Sequence, residues 1–218
     1  AGRVCYKSED KITEDSAKAF CDKIRKRGHT SVMEHSNIIT VAWAGIINTH
    51  PPRVSIAVRP TRHSYQIIKD SGEFVIHLTP AKLVRECDYC GIFTGAKVDK
   101  FEKTGLHKAP ASVVSCPLIE ECPLALECKV IDILPQGTHD LFLAEVVAVD
   151  VEESILDENG KLCMERAGLA AYAHGEYFAL GDKIGTFGFS AVKNKKRKGS
   201  APAKKQGIPA HCSAKYKK

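Results

Sequence analysis

The chain has 218 residues, 44% hydrophobic and 27% charged, a composition suited to one sizeable globular domain with room for an appendage. No run approaches the roughly 18 apolar residues a bilayer-crossing helix needs, and no apolar signal segment opens the sequence, so a membrane protein is not expected and a cytoplasmic address is. The net charge of +6 collects at the C-terminal end, where residues 193–218 carry more Lys and Arg than the whole excess and no acid; specific nucleic-acid binding is therefore not expected.

Residues 1–36 form a segment of their own pattern. Thr13 reads as the cap of a helix with Glu14 and Asp15 in its first turn, an apolar side of Ala17, Phe20 and Ile24, and Gly28 as its end. Residues 37–44, NIITVAWA, are rich in β-branched side chains, carry the only tryptophan and read as a strand. Prolines 51 and 52 interrupt the pattern, because proline removes ladder donors. Residues 54–58, VSIAV, then alternate large apolar with small residues, so one face can be buried while a flat object lies on the other.

Arg59, Pro60, Thr61, Arg62, His63 and Ser64 lead into a helix expected over residues 65–70. Free N–H groups and the positive end of the macrodipole make such a helix start a natural seat for phosphate. A strand is expected over 73–78, a helix opening near Thr79 and Pro80, and a short helix over 99–103 ending at Gly105. Long strands over 124–133 and 139–151 are joined by the hairpin signal Pro135-Gln136-Gly137, and residues 157–160 form a surface turn. The glycines and aromatics of residues 164–190 suggest a closing arm over the domain or its partner, and residues 193–218 a disordered, flexible basic tail.

Nine cysteines without a secretory signal fit free thiols in a reducing compartment. Cys87 and Cys90 form a C-x-x-C that could be redox-active or half a zinc site. With no second C-x-x-C and no histidine pair at ligand spacing, ordinary thiols are the favoured reading and no metal site is expected. Cys116, Cys122 and Cys128 are expected along a strand.

The runs TVAWAG, RPTRHSYQIIKDSGEFVIHL, DYCG, TGAKVDKFEKTGL, ECPLALECKV, GTHDLFLAEVVAVDV and HGEYFALG resemble, in order and spacing over residues 37–190, the flavin reductase-like and flavoredoxin family. The resemblance implies a mainly β fold with short helices, the FMN-binding split β-barrel, placed here over residues 37–192. It also implies a homodimer that binds FMN, with NADH or NADPH as possible electron donor and a possible redox partner protein. Flavin contacts carried over from the family fall on Asn37, Thr40, Trp43, Arg59, Arg62, Ser64, Lys100 and His139; no catalytic acid or base is assigned, because hydride transfer is the cofactor's own chemistry.

The residue chemistry agrees with those positions, and each also has a plainer reading. Asn37 can donate and accept at a pyrimidine edge, or simply begin a strand. Trp43 offers a broad face, or is a core residue. Ser64 can share its hydroxyl with phosphate or cap its helix, and Arg59 and Arg62 are phosphate forks or surface salt bridges. Lys100 would be one exposed lysine among many without its VDKF context, and His139 a structural histidine without GTHDLF. Two departures weaken the local polar contacts: His77 stands where the family strand has asparagine, and residues 94–101 read TGAKVDKF where the family has SGRDVDKF.

The segment RVCYKSEDKITEDSA with RGHTSVMEH resembles instead the amino-terminal part of flavin-dependent thymidylate synthases, where the matching region helps hold FAD, falling here on His29, Thr30, Ser31, Glu34 or His35. That family's later arginine- and histidine-rich signature is absent, so thymidylate synthesis is not expected. In this chain the segment occupies the place of the strand that usually opens the flavin reductase-like barrel. Either it replaces that strand or it packs outside an incomplete barrel, whose open edge would then need covering. The expected function is electron transfer as an NAD(P)H-dependent flavin reductase or flavoredoxin-like oxidoreductase; the alternatives are a non-catalytic FMN carrier reduced by a partner protein and an inactive fusion remnant.

Overall fold

The computed structural model describes residues 3–7, as backbone, and 36–191. Strands are β1 (Arg3–Lys7), β2 (Ala44–Thr49), β3 (Pro52–Val58), β4 (Glu73–His77), β5 (Lys108–Ala109), β6 (Leu118–Ile119), β7 (Leu124–Pro135), β8 (Asp140–Glu152), β9 (Ala170–Ala173) and β10 (Glu176–Ala179). Helices are α1 (His63–Ser71), α2 (Val84–Ile92) and α3 (Lys100–Thr104). The expected helix over 13–28, the FAD-like positions 29–35 and the basic tail lie outside the described residues.

The long β7–β8 hairpin organises one antiparallel sheet in the order β2-β3-β8-β7-β4, and β1 pairs with the 148–152 half of β8. Alternation does the sorting: Val54, Ile56 and Val58 of β3 are buried, and their partners in register, Ala144, Phe142 and Asp140 of β8, are buried too. Helix α1 lays Tyr65 and Ile68 on this core and ends at Gly72, whose φ of 67° suits glycine and whose N–H donates to the Ile68 carbonyl. The Tyr65 hydroxyl donates to Asp140 Oδ2 at 2.5 Å, fastening α1 to the start of β8. That carboxylate holds the phenol above its ordinary range. Replacing Tyr65 by Phe is expected to lower the thermal midpoint, with Asp140→Asn strongly non-additive in a double-mutant cycle read by calorimetry; additive losses would mean the bond carries no coupling.

A second anchor lies under β7. Glu127, fully buried, accepts from the Ser112 N–H and hydroxyl at 2.6 Å each through Oε1, and from the Val113 and Val114 N–H groups at 2.7 and 2.8 Å through Oε2. The β9–β10 hairpin is tied in by main chain, Ala170 N–H donating to the Thr79 carbonyl at 2.9 Å, and by the Tyr177 hydroxyl donating to Asp88 on α2 at 3.1 Å. These elements lie in a compact unit spanning Ala1–Asp182; the second unit, Lys183–Lys218, contributes the short 3-10 turn Phe189–Ala191 to the described residues.

Several expectations need correction. Residues 37–41 carry no ladder, and the strand begins at Ala44, once the chain reaches β3: the Trp43 carbonyl accepts from Ala57 N–H at 3.0 Å. Helix α1 starts two residues earlier than expected, with Arg62 as its cap position and Ser64 inside the first turn, so Ser64 is not the cap. Near Pro80 the chain first makes a 3-10 turn, Ala81–Leu83, before α2. Of the three evenly spaced cysteines only Cys128 lies on a strand, because turns at 112–117 and 120–123 interrupt the segment. Trp43, which lies opposite Ala57 of β3, is 62% exposed rather than a core residue.

The sheet does not close. Among the described residues β4 pairs only with β7, and the opposite edge strand β2 only with β3.

Candidate functional site

Five of the expected contacts converge at the start of α1. A cavity of about 180 Å³ is lined by Asn37, Arg59, Arg62, Ser64 and Lys100, together with Thr61, His63, Thr94 and Gly95. Tyr65 N–H already donates to the Arg62 carbonyl at 2.9 Å, so the N–H groups that α1 leaves unmatched are those of its first residues, His63 and Ser64, both at the cavity. With two guanidinium groups and a lysine around them and no carboxylate in the lining, they make a cationic site.

The polar geometry is tight. Asn37 Nδ2 donates to the buried Ser64 Oγ at 2.7 Å, which fixes the amide and leaves the hydroxyl's own proton for a further acceptor. Lys100 is only 4% exposed, and its Nζ donates to the Ile38 and Cys90 carbonyls at 2.7 Å each. An ammonium has three donors, so one N–H remains toward the cavity. Burial holds the lysine below its ordinary range, with Arg62 adding to the effect and Cys90 opposing it. An anion placed between Lys100 and Arg62 would relieve that mutual repulsion.

Arg59 links this pocket to an aromatic pair. Its Nε donates to His139 Nε2 at 3.3 Å, His139 Nδ1 lies 3.0 Å from the Thr138 hydroxyl, and the imidazole stands against Trp43 with ring centroids 4.5 Å apart at 52°. Cationic pocket and half-exposed aromatic surface are therefore contiguous through one guanidinium. Thr40 is placed differently: its hydroxyl donates to the Cys87 carbonyl on α2, and it does not line the cationic cavity.

Thr61 and His63 lie within the same RPTRHS run that marked the site but were not named as site residues from the sequence. Gly95 was not legible as a site residue. A Cβ built on it would overlap the Asn37 side-chain amide, so this glycine permits the 94–95 loop to close on that amide. Gly95→Ala is expected to displace Asn37, break its bond to Ser64 and weaken anion binding at the pocket; isothermal titration should show it, and unchanged affinity would remove Gly95 from the site.

The cysteines of the C-x-x-C sit on α2. Burial pushes the Cys90 thiol up to about 11, although Lys100 opposes this. Among the described residues no group of three or more His, Cys, Asp or Glu is arranged to hold a metal ion.

The model for the flavin reductase like domain matches residues 29–181. The flavoredoxin of Desulfovibrio vulgaris (Miyazaki F) superposes with a TM-score of 0.67 at 33% identity, over 72% of this chain and 85% of that one. A flavoredoxin from Methanosarcina acetivorans gives a TM-score of 0.64 at 28% identity, with 72% and 85% covered. An uncharacterized protein of Archaeoglobus fulgidus is 31% identical over 58% of this chain and 72% of its own length.

Proposed function

Because the chain belongs to the flavin reductase-like domain family, we propose that it is an FMN-binding flavoprotein that transfers electrons, as an NAD(P)H-dependent flavin reductase or a flavoredoxin-like oxidoreductase. The observation that carries this reading is the convergence of Asn37, Arg59, Arg62, Ser64 and the buried Lys100 on one cavity beside the Trp43–His139 pair. When bound, FMN supplies the hydride- and electron-accepting chemistry.

The residues present fit such a group. The α1 N-terminus, Ser64, Arg62 and the third Lys100 N–H hold a phosphate, and they suit a dianion because each is a donor and the Lys100 charge sits where burial strengthens it. Asn37 keeps Ser64 oriented. Arg59 neutralises charge between the pocket and the aromatic surface, where Trp43 and His139 offer flat faces to a ring. In this reading residues 37–192 carry the flavin, residues 1–36 are a separate segment that lends β1 to the sheet, and 193–218 are a basic tail.

The protein acts as a homodimer in this reading, in the cytoplasm, with a redox partner as the possible final acceptor. Support for the dimer comes from β2, where Ile46 is 80% exposed and Ile47 and Trp43 are exposed beside it, an apolar strip that a second copy would cover.

The test is titration of the purified chain with FMN, followed by flavin fluorescence, and then anaerobic addition of NADH or NADPH. One flavin bound per chain and rapid bleaching are expected. Binding without bleaching by either nucleotide would reassign the protein as a carrier reduced by a partner, and the absence of binding would overturn the flavin reading.

A further inference from the structure

The flavin reading uses Lys100 as a charge, but its surroundings also suit it to act as a nucleophile. The side chain is 4% exposed, lines the cationic cavity, and donates from Nζ to the Ile38 and Cys90 carbonyls at 2.7 Å each. A free amine has two N–H groups and one lone pair. With both N–H groups held by main chain, the lone pair takes the one direction left, that of the ammonium's third N–H, toward the cavity. Burial holds Lys100 below its ordinary range, opposed by Cys90 and aided by Arg62, so more of it is free amine at a given pH than of an ordinary lysine. Its chain neighbours Lys97 and Lys103 are exposed.

The rest of the cavity supplies a seat for a donor's leaving group. The first N–H groups of α1, the Ser64 hydroxyl and Arg62 are donors to an anion, and no carboxylate lines the space. We propose that Lys100 is an acylation site whose substrates are acyl phosphates: the phosphate seats on the α1 N-terminus and Arg62, and the acyl group passes to Nζ. The ammonium first gives a proton to water. The lone pair then attacks the carbonyl carbon, a C–N bond forms, and the bond from that carbon to the bridging phosphate oxygen breaks. The nitrogen's surplus proton leaves with the departing group as hydrogen phosphate, and no oxidant or reductant takes part. The donors that bind the phosphate also stabilise it as it leaves, because negative charge on the bridging oxygen grows as the bond breaks. The product is neutral, so acylation removes a charge that burial and Arg62 oppose. It leaves Nζ one N–H for two carbonyls and takes a cation from the pocket, which weakens anion binding there.

The inference needs the anion seat and not a flavin. The purified full chain is incubated with acetyl phosphate, and acetylation of Lys97, Lys100 and Lys103 is followed in time by peptide mass spectrometry. Lys100 is expected to react at least about tenfold faster than the two exposed lysines, the gain from holding donor and amine together. Inorganic phosphate in excess should slow Lys100 and leave the other two unchanged. Acetic anhydride, an acyl donor without a phosphate, should modify Lys97 and Lys103 first. Lys100 reacting no faster than its neighbours, phosphate failing to slow it, or acetic anhydride preferring it equally would each overturn the proposal. A parallel FMN titration keeps two failures apart: Lys100 acetylation without FMN binding would sink the flavin reading alone, and FMN binding without Lys100 acetylation would sink the acylation site alone.

Discussion

Replacing Glu127 by Ala is expected to cost roughly 3–5 kcal/mol of folding stability, or to prevent folding outright, because three main-chain N–H groups and a hydroxyl would lose their acceptor in a closed site. The size follows from the asymmetry of hydrogen bonding: a bond made contributes modestly, while a buried donor left unmade carries its whole desolvation penalty. Glu127→Gln should fall between, since one of its ends keeps an acceptor while its NH2 meets donors. Urea denaturation measures both. A loss under about 1 kcal/mol for Glu127→Ala would mean that water replaces the carboxylate and that the 112–114 loop is not held by it.

The second large effect is expected at Lys100. Lys100→Met keeps an apolar stem one atom shorter but removes the ammonium, so the Ile38 and Cys90 carbonyls lose a shared donor and the pocket loses its buried charge. FMN affinity should fall roughly 10- to 100-fold, the range for one charge-assisted hydrogen bond. Stability should fall by about 1–3 kcal/mol as segment 37–41 is released from α2. The two readouts separate two roles. Lost stability with unchanged FMN affinity would make Lys100 a staple of the 37–41 segment only; lost affinity with intact stability would make it a ligand contact only.

The two substitutions also separate two parts of the molecule. Glu127 does not line the cationic cavity and instead holds the 112–114 loop, so an affinity change in Glu127→Gln at full folding would point to coupling between that loop and the site.

Local chemistry made much of the chain legible. The short helix α3 was readable because Asp99 caps it, accepting from Glu102 N–H at 3.1 Å, and Gly105 ends it at a φ of 70°. The β7–β8 hairpin and β3 were readable because a two-residue apolar period survives wherever one face is buried. The RPTRHS run marked the cationic pocket because arginines, hydroxyls and a helix start lie within six residues.

What composition and pattern could not decide were matters of partners distant in sequence. Residues 37–41 have the β-branched content and alternation of a strand, but a strand also needs a neighbour at hydrogen-bonding distance, and propensity carries no information about one. Lys100 reads as one more surface lysine; it is buried because the fold brings the Ile38 and Cys90 carbonyls, 62 and 10 residues away, within 2.7 Å of its ammonium. Thr40 belongs with Cys87 and not with the cationic cavity, and Gly95 matters for Asn37, 58 positions earlier, through a contact that exists only once the 94–95 loop packs down. By itself, then, the sequence determined the strand and helix segments whose caps and periods are local, and the cationic corner whose residues are neighbours in the chain. The tertiary structure decided which side chains are buried and charged, and that the sheet stays open, because both depend on contacts between residues that the chain order keeps apart.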